Sequence, residues 1–284
     1  MKRPLTFSEQ LQKLEEHGVH VDGEPLAIKS LECVNYYRLR GYLLGFDLQN
    51  TAHSVSFSDV WDVYCFDIEL RDIIWKAIGP IEIAVRTQFA YTLAVEYGAT
   101  AYRDETLFKN EEKHNKNVSY INTEIERAKK NREPYVTHNL EKFGDLPIWA
   151  AVELMSFGCL SRFCANLKPF LIKKIAKFFD TNGTFFTSWL RHLVTVRNIC
   201  AHHNRFYNRV MAITPKLPSE YARFAGNKQF PTIIVLNKLY RGVSATDCSE
   251  FVANLEMLIK KYPNVSLKPL DFPDNWHDIL FKGK

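Results

Sequence analysis

Apolar positions recur at three and four residues along most of the chain, the spacing of one face of an α-helix. Thr6-Phe7-Ser8-Glu9 has the capping-box form and Leu11 and Leu14 follow on one face, which predicts a helix ending at Gly18. Pro25 opens a short helix through Ala27, Ile28 and Leu31, and the polar stretch 47–57 reads as a connection. Ser58 is the expected N-cap of the next segment, where Val60, Tyr64, Ile68, Ile74 and Ile78 keep the period. Gly79-Pro80 interrupts it, and it restarts at Ile81, Val85, Phe89 and Leu93 before stopping at Gly98. Because proline removes a helical hydrogen bond, this pattern predicts two long helices meeting at a break.

Residues 102–145 are charged and poor in aliphatics, as in a solvated helix with loops. An apolar segment then runs from Pro147 to Phe157 with Gly158 as its stop, and Pro169 starts a helix through Ile172, Ile175 and Phe179. Asn182-Gly183 reads as a turn, and the longest late helix is expected from about Thr184 to Asn208. The short run from Ile233 to Leu236 fits either strand or helix, and Thr246 to Tyr262 reads as a helix. The predicted fold class is all-α, with an N-terminal helical segment (1–55), a core (56–215) carrying the polar insertion, and a C-terminal extension (216–284).

Composition adds exclusions. With 284 residues and 46% apolar content, the chain is expected to bury a core without a metal or disulfide, and it is not a disordered chain. No apolar run approaches the ~20 residues a membrane-spanning helix needs, so no membrane role is expected. The basic start, Met1-Lys2-Arg3, is not followed by an apolar stretch, and a cytoplasmic protein is expected. The six cysteines form no C-x-x-C pair and read as ordinary buried thiols, with no metal or cofactor implied.

The charge is unevenly spread. Residues 160–209 hold nine basic side chains against one acid, Asp180, a balance of +8 that leaves −3 on the rest of a chain whose net charge is +5. Such a concentration suits a polyanion, although a merely solvated basic face reads the same way from charge alone. On a helical wheel Arg191, Thr195, Asn198, His202, Arg205 and Arg209 fall on one stripe. Trp189, Leu193, Val196, Cys200, Tyr207 and Val210 form a separate apolar stripe, and His203 falls with them as an expected packed, structural histidine.

The candidate chemistry lies in Arg197-Asn198-Ile199-Cys200-Ala201-His202, extended by His203-Asn204-Arg205-Phe206-Tyr207-Asn208. Further back stand Asn35-Tyr36-Tyr37-Arg38-Leu39-Arg40-Gly41-Tyr42, then Tyr64 to Arg71, Ile81 to Arg86, Pro147-Ile148-Trp149 and Ser156-Phe157-Gly158. In this order these segments resemble the bacterial Abi family linked to abortive infection, the AbiD/AbiF-like group within the HEPN ribonuclease superfamily. Tyr207 stands where that group usually has Trp, and the resemblance ends near Pro218.

The resemblance implies a HEPN-like helical bundle that dimerises with two Arg-x4-His motifs facing one cleft, and metal-independent cleavage of RNA. The residue types suit that chemistry: His202 titrates near neutral pH, Arg197 offers a fork of donors to phosphoryl oxygens, and Asn198 can orient the imidazole or bind phosphate. RNA supplies its own nucleophile, the 2′-OH. Attack and departure want a base and an acid, which a two-fold homodimer provides. Glu82 and Arg86, at i and i+4, read first as an internal ion pair and second as orienting groups for the motif. The expected RNA-binding surface comprises Arg162, Lys173, Lys174, Lys177, Arg191, Arg205 and Arg209, with Tyr37, Arg38 and Arg40 as a possible stacking and gripping edge or, equally, part of the N-terminal packing. No long acidic segment is available to cover the basic region. Restraint is therefore expected from outside, and the resembled group implies a structured noncoding RNA. The competing reading is a catalytically silent RNA-binding or scaffold protein on the same fold. A DNA-binding regulator would want a compact helix-turn-helix, and none is visible.

Overall fold

The computed structural model describes residues 3–48, 54–243 and 250–281. Helix α1 (Phe7–Glu16) begins with the capping box read from the sequence: the Thr6 hydroxyl accepts the Glu9 N–H at 3.3 Å, and the Glu9 carboxylate accepts the Thr6 N–H at 2.8 Å. Two-residue strands β1 (Val19–His20) and β2 (Val55–Ser56) pair in parallel with Val19 opposite Val55, a feature too short to leave a periodic signal. Between them lie α2 (Glu24–Cys33), α3 (Tyr36–Arg40) and a 3-10 turn over Gly41–Gly45.

Helix α4 (Phe57–Tyr97) runs for 41 residues, on the order of 60 Å. Its N-cap is Ser56, not Ser58, and the reciprocal partner is Asp59. The expected break at Gly79-Pro80 is absent. Both residues are exposed, as is Lys76, so the carbonyl deprived of its amide partner faces solvent. Ile74, Ile78, Ile81 and Val85 are all buried and carry the apolar face across the proline.

The segment expected to be mostly solvated is more ordered than its composition suggested. Tyr102 is fully buried, α5 (Glu111–Lys130) buries His114, Asn117, Ile121, Ile125 and Ala128, and α6 (Pro134–Phe143) follows. The His114 ring nitrogen Nε2 lies 2.9 Å from the Tyr102 carbonyl. The next apolar run is two helices, α7 (Ile148–Leu154) and α8 (Phe157–Asn166). Gly158 does not stop a helix: it sits in the first turn of α8, which Ser156 caps. Helix α9 (Pro169–Phe178) starts at its proline, and Asn182 caps α10 (Gly183–Ala201) by accepting the Thr184 and Phe185 N–H groups at 3.0 Å.

The ambiguous late run is helical, within α11 (Phe230–Arg241). Helix α12 (Glu250–Lys261) and α13 (Trp276–Phe281) complete the described chain, and residues 246–249 of the expected helix lie outside it. Among the described residues the fold is all-α apart from the two short strands. α4 and α10 pack on each other and on most other long helices. The buried apolar side chains form one cluster from Leu11 to Leu280, so α11 to α13 share the core with the rest. Trp189 donates to the Lys216 carbonyl and Tyr207 to the Ser266 carbonyl, both at 2.7 Å, tying the C-terminal part to α10 and the loop behind it. Among the described residues no helix is long and apolar enough to cross a membrane. The cysteines there are free; Cys159, Cys164 and Cys200 are buried as expected, whereas Cys33 is exposed. Cys248 lies outside the described residues.

Candidate functional site

The helix bearing the Arg-x4-His string ends much earlier than its pattern predicts. His202 is the C-cap of α10, the His203 N–H reaches the Cys200 carbonyl at 3.0 Å, and the Asn204 N–H reaches the Ile199 carbonyl at 2.9 Å. These two bonds form a Schellman end, with His203 in the left-handed position at φ 52°. The wheel therefore stops at Ala201. His203 is exposed rather than packed, and Val210 is exposed although the apolar stripe included it. Arg205 and Arg209 do not continue the polar stripe, because they lie in a loop.

That loop is clamped by a buried carboxylate. Asp67 of α4 is fully buried and accepts the Tyr42 hydroxyl at 2.7 Å, the Phe206 N–H at 3.1 Å and the Tyr207 N–H at 2.6 Å. Arg71, one turn on, approaches it at 3.4 Å. Burial pushes the Asp67 carboxyl upward, against the pull of Tyr42, Arg71 and the two backbone N–H groups. The N-terminal motif forms the other side of the clamp. Arg38 donates to the His203 carbonyl, and the Asn208 amide donates to the Leu44 carbonyl at 2.8 Å. A Cβ on Gly45 would stand 2.8 Å from the Tyr207 ring, so only glycine lets that turn lie against it.

The sequence-derived site residues separate into groups. Asn198 and His202 are exposed at the end of α10, and the Arg197 guanidinium lies 5.3 Å over the Trp75 ring of α4. Glu82 and Arg86 form an ion pair, and Arg86 also donates to the carbonyls of Val152 and, at 2.6 Å, Met155. They thus hold the end of α7 and make no bond to Arg197 or His202. Arg205 is partly buried and donates to the Tyr207 carbonyl at 2.6 Å, and burial lowers its pKa. Arg209 reaches back to the Arg205 carbonyl at 3.4 Å. Tyr37 and Arg40 are exposed, while Tyr36 packs on the core. Lys174 pairs with Glu96, Lys173, Lys177 and Arg191 are exposed, and Arg162 donates to the Asn117 amide oxygen at 3.1 Å.

Sequence reasoning missed Asp67, Arg71 and Tyr42 as the clamp, and Trp75 as the platform under Arg197. One signal was present: Asp67 and Arg71 share a helical face with the buried Val63, Leu70 and Ile74, where a charge is costly unless paired. Among the described residues no group of three or more His, Cys, Asp or Glu is placed to hold a metal ion.

A family model described as Abi-like protein matches residues 29–208. The chain belongs to the Abi-like family. The Abi-like match begins within α2 and ends in the clamped loop, so it takes in Arg38, Tyr42, Asp67, Arg71 and the whole Arg-x4-His string. Membership points to abortive infection, an anti-phage defence. No curated protein and no solved structure matches the chain.

Proposed function

We propose that the protein is a metal-independent endoribonuclease of the HEPN type, acting in anti-phage abortive infection. The observation that carries this reading is the end of α10: His202 faces solvent with exposed Asn198 one turn before it and Arg197 on the same last turns, and the backbone that follows is held by Asp67 and Arg38. Such fixed support is what a proton-transferring group needs. In the proposed reaction the 2′-oxygen of RNA bonds to the neighbouring phosphorus and the bond from phosphorus to the 5′-oxygen breaks. The 2′-OH proton passes to His202 of one protomer, and His202 of a second delivers a proton to the departing 5′-oxygen. Arg197 stabilises the charge on the phosphoryl oxygens. The products carry a 2′,3′-cyclic phosphate and a 5′-hydroxyl.

A homodimer is part of this proposal. Trp75, Ile83, Tyr91 and Val95 are exposed along α4 but drift round the helix, and Trp149 of α7 lies near Tyr91; Trp75, whose ring lies beneath Arg197, is the part of this apolar surface next to α10. A second copy covering it would bring two α10 ends together. The test is incubation of purified protein with a generic single-stranded RNA in EDTA, followed by end analysis. Cyclic phosphate ends that vanish in His202→Ala support the reading. Cleavage that EDTA abolishes and Mg²⁺ restores overturns it. Binding without any cleavage would favour an RNA-binding scaffold on the same fold.

A further inference from the structure

On the far side of α10 from its catalytic end lies a groove of about 1180 Å³, walled by α8, α9, the first half of α10 and residues 213–216. It continues over Lys109 and Arg162 into a second concavity of about 760 Å³ against α5. Besides Lys116, six cations line the two: Lys109, Lys113, Arg162, Lys173, Arg191 and Lys216. None of the six forms an ion pair among the described residues, and no acidic residue lines either concavity. Lys116 is a seventh cation there, but it pairs with Glu112. Three of the six, Lys109, Lys113 and Lys216, come from outside the basic segment seen in the sequence, so folding gathers a field that no single stretch carries. The fold also sorts that segment: Lys174 is paired elsewhere, and Arg205 is turned into the clamped loop.

The walls are fixed rather than fluid. Asn166 accepts the Asn110 N–H at 3.1 Å and donates to the Asn110 carbonyl at 2.8 Å, joining the end of α8 to the start of α5. Buried His192 lies 2.6 Å from the Ile213 carbonyl, and the Ser188 hydroxyl accepts the Lys216 N–H at 2.9 Å, holding the opposite wall to α10. Arg162 is held by Asn117 and lies 5.8 Å over the Tyr120 ring, and Phe185 lines the first concavity. Cations at intervals along a walled channel suit a phosphodiester backbone, and flat faces within it suit unstacked bases. An acidic peptide would use the cations but supplies no regular series of planar groups to set beside Tyr120, which Arg162 covers on one side, and Phe185, which stacks on Trp189.

We infer that this groove is a second RNA-binding site, which grips the backbone of single-stranded RNA about 16 Å along α10 from His202. The inference rests on the proposed ribonuclease function for the choice of RNA, but its test does not depend on cleavage. Binding of a labelled single-stranded RNA is measured by fluorescence anisotropy across a salt series, in EDTA, in the full-length His202→Ala background. Lys109→Gln, Lys173→Gln, Arg191→Gln and Lys216→Gln should each flatten the dependence of log K on log salt by about 0.7, and the four together by about 3. Lys129→Gln with Lys130→Gln, exposed on α5 outside the groove, is the control and should leave the slope unchanged. Thermal melts confirm that each variant is folded.

An equal loss in the control pair would make binding diffuse and overturn the groove. Polyglutamate competing as well as RNA at equal charge would replace RNA by an acidic peptide and also overturn it. Groove-dependent binding in a protein that never cleaves would retain this inference and reject the ribonuclease. Cleavage by wild type combined with groove-independent binding would do the reverse.

Discussion

Removing the carboxylate of Asp67 tests the clamp that sets the loop after α10. The side chain is fully buried and Arg71 beside it is 5% exposed. Asp67→Ala would leave the Arg71 guanidinium, the Tyr42 hydroxyl and the Phe206 and Tyr207 N–H groups without this acceptor. Breaking a buried pair by deleting one partner costs about 3–5 kcal/mol. Each stranded amide adds about 1–3 kcal/mol unless water enters, and these losses are not additive, so about 4 kcal/mol is a fair expectation. That is a large share of the ~5–15 kcal/mol that holds a typical domain folded. Tyr42→Phe keeps the carboxylate and removes one donor, and should cost about 1–2 kcal/mol. Urea unfolding followed by circular dichroism gives both values, and the double variant completes a cycle. If Asp67 is the hub, Tyr42→Phe will cost clearly less in the Asp67→Ala background than in wild type. An Asp67→Ala protein within 1 kcal/mol of wild type, or additive losses in the cycle, would refute the clamp.

Three further outcomes follow from particular contacts. Gly45→Ala sets a methyl group against a Tyr207 ring that is buried and bonded to Ser266, so the melting temperature should fall by the equivalent of about 1–3 kcal/mol; an unchanged melt counts against the packing described. His192 is buried, and desolvation lowers its pKa to about 4 from an ordinary 6.5, so the unfolded chain takes up the proton first. Its contribution is complete above about pH 6.5 and is lost as pH falls toward 4, at about 1.4 kcal/mol per unit and about 3 kcal/mol in all. Comparing urea midpoints of wild type and His192→Gln at pH 7 and 4.5 isolates this slope, and parallel behaviour would contradict it. His203→Gly should keep or raise stability by up to about 1 kcal/mol because the position is left-handed, whereas His203→Val should lower it; the opposite order in thermal melts would mean that α10 continues past Ala201.

The helical class was legible because burial on one face of a helix writes a local period, and the period needs no tertiary information. The end of α10 was not. Residues 202–209 contain neither glycine nor proline, and their polar spacing is compatible with another two turns. What stops the helix is a set of partners far along the chain: the Asp67 carboxylate takes the amide hydrogens that further turns would have used. Gly79-Pro80 misled for the converse reason. A proline breaks a helix when the carbonyl it abandons is buried, and exposure of that turn is settled only by packing. The Arg-x4-His string was legible as a candidate site, while the groove was half hidden. Its Arg162, Lys173 and Arg191 lie in one basic segment, but Lys109, Lys113 and Lys216 join them only through the packing of α5, α8 and α10.

The bond from Arg38 to the His203 carbonyl spans 165 positions of the chain. At a synthesis rate of ~5–20 residues per second, the interval between making the two residues is roughly 10–30 s. Closing so long a loop also carries an entropic cost that local helices do not meet. The clamped geometry of the loop thus cannot form until Asn208 has been made, after every residue of α1 to α10. In the proposed nuclease this order of events would act as a timer: the backbone after His202 cannot be clamped until the segments that hold it have all been made.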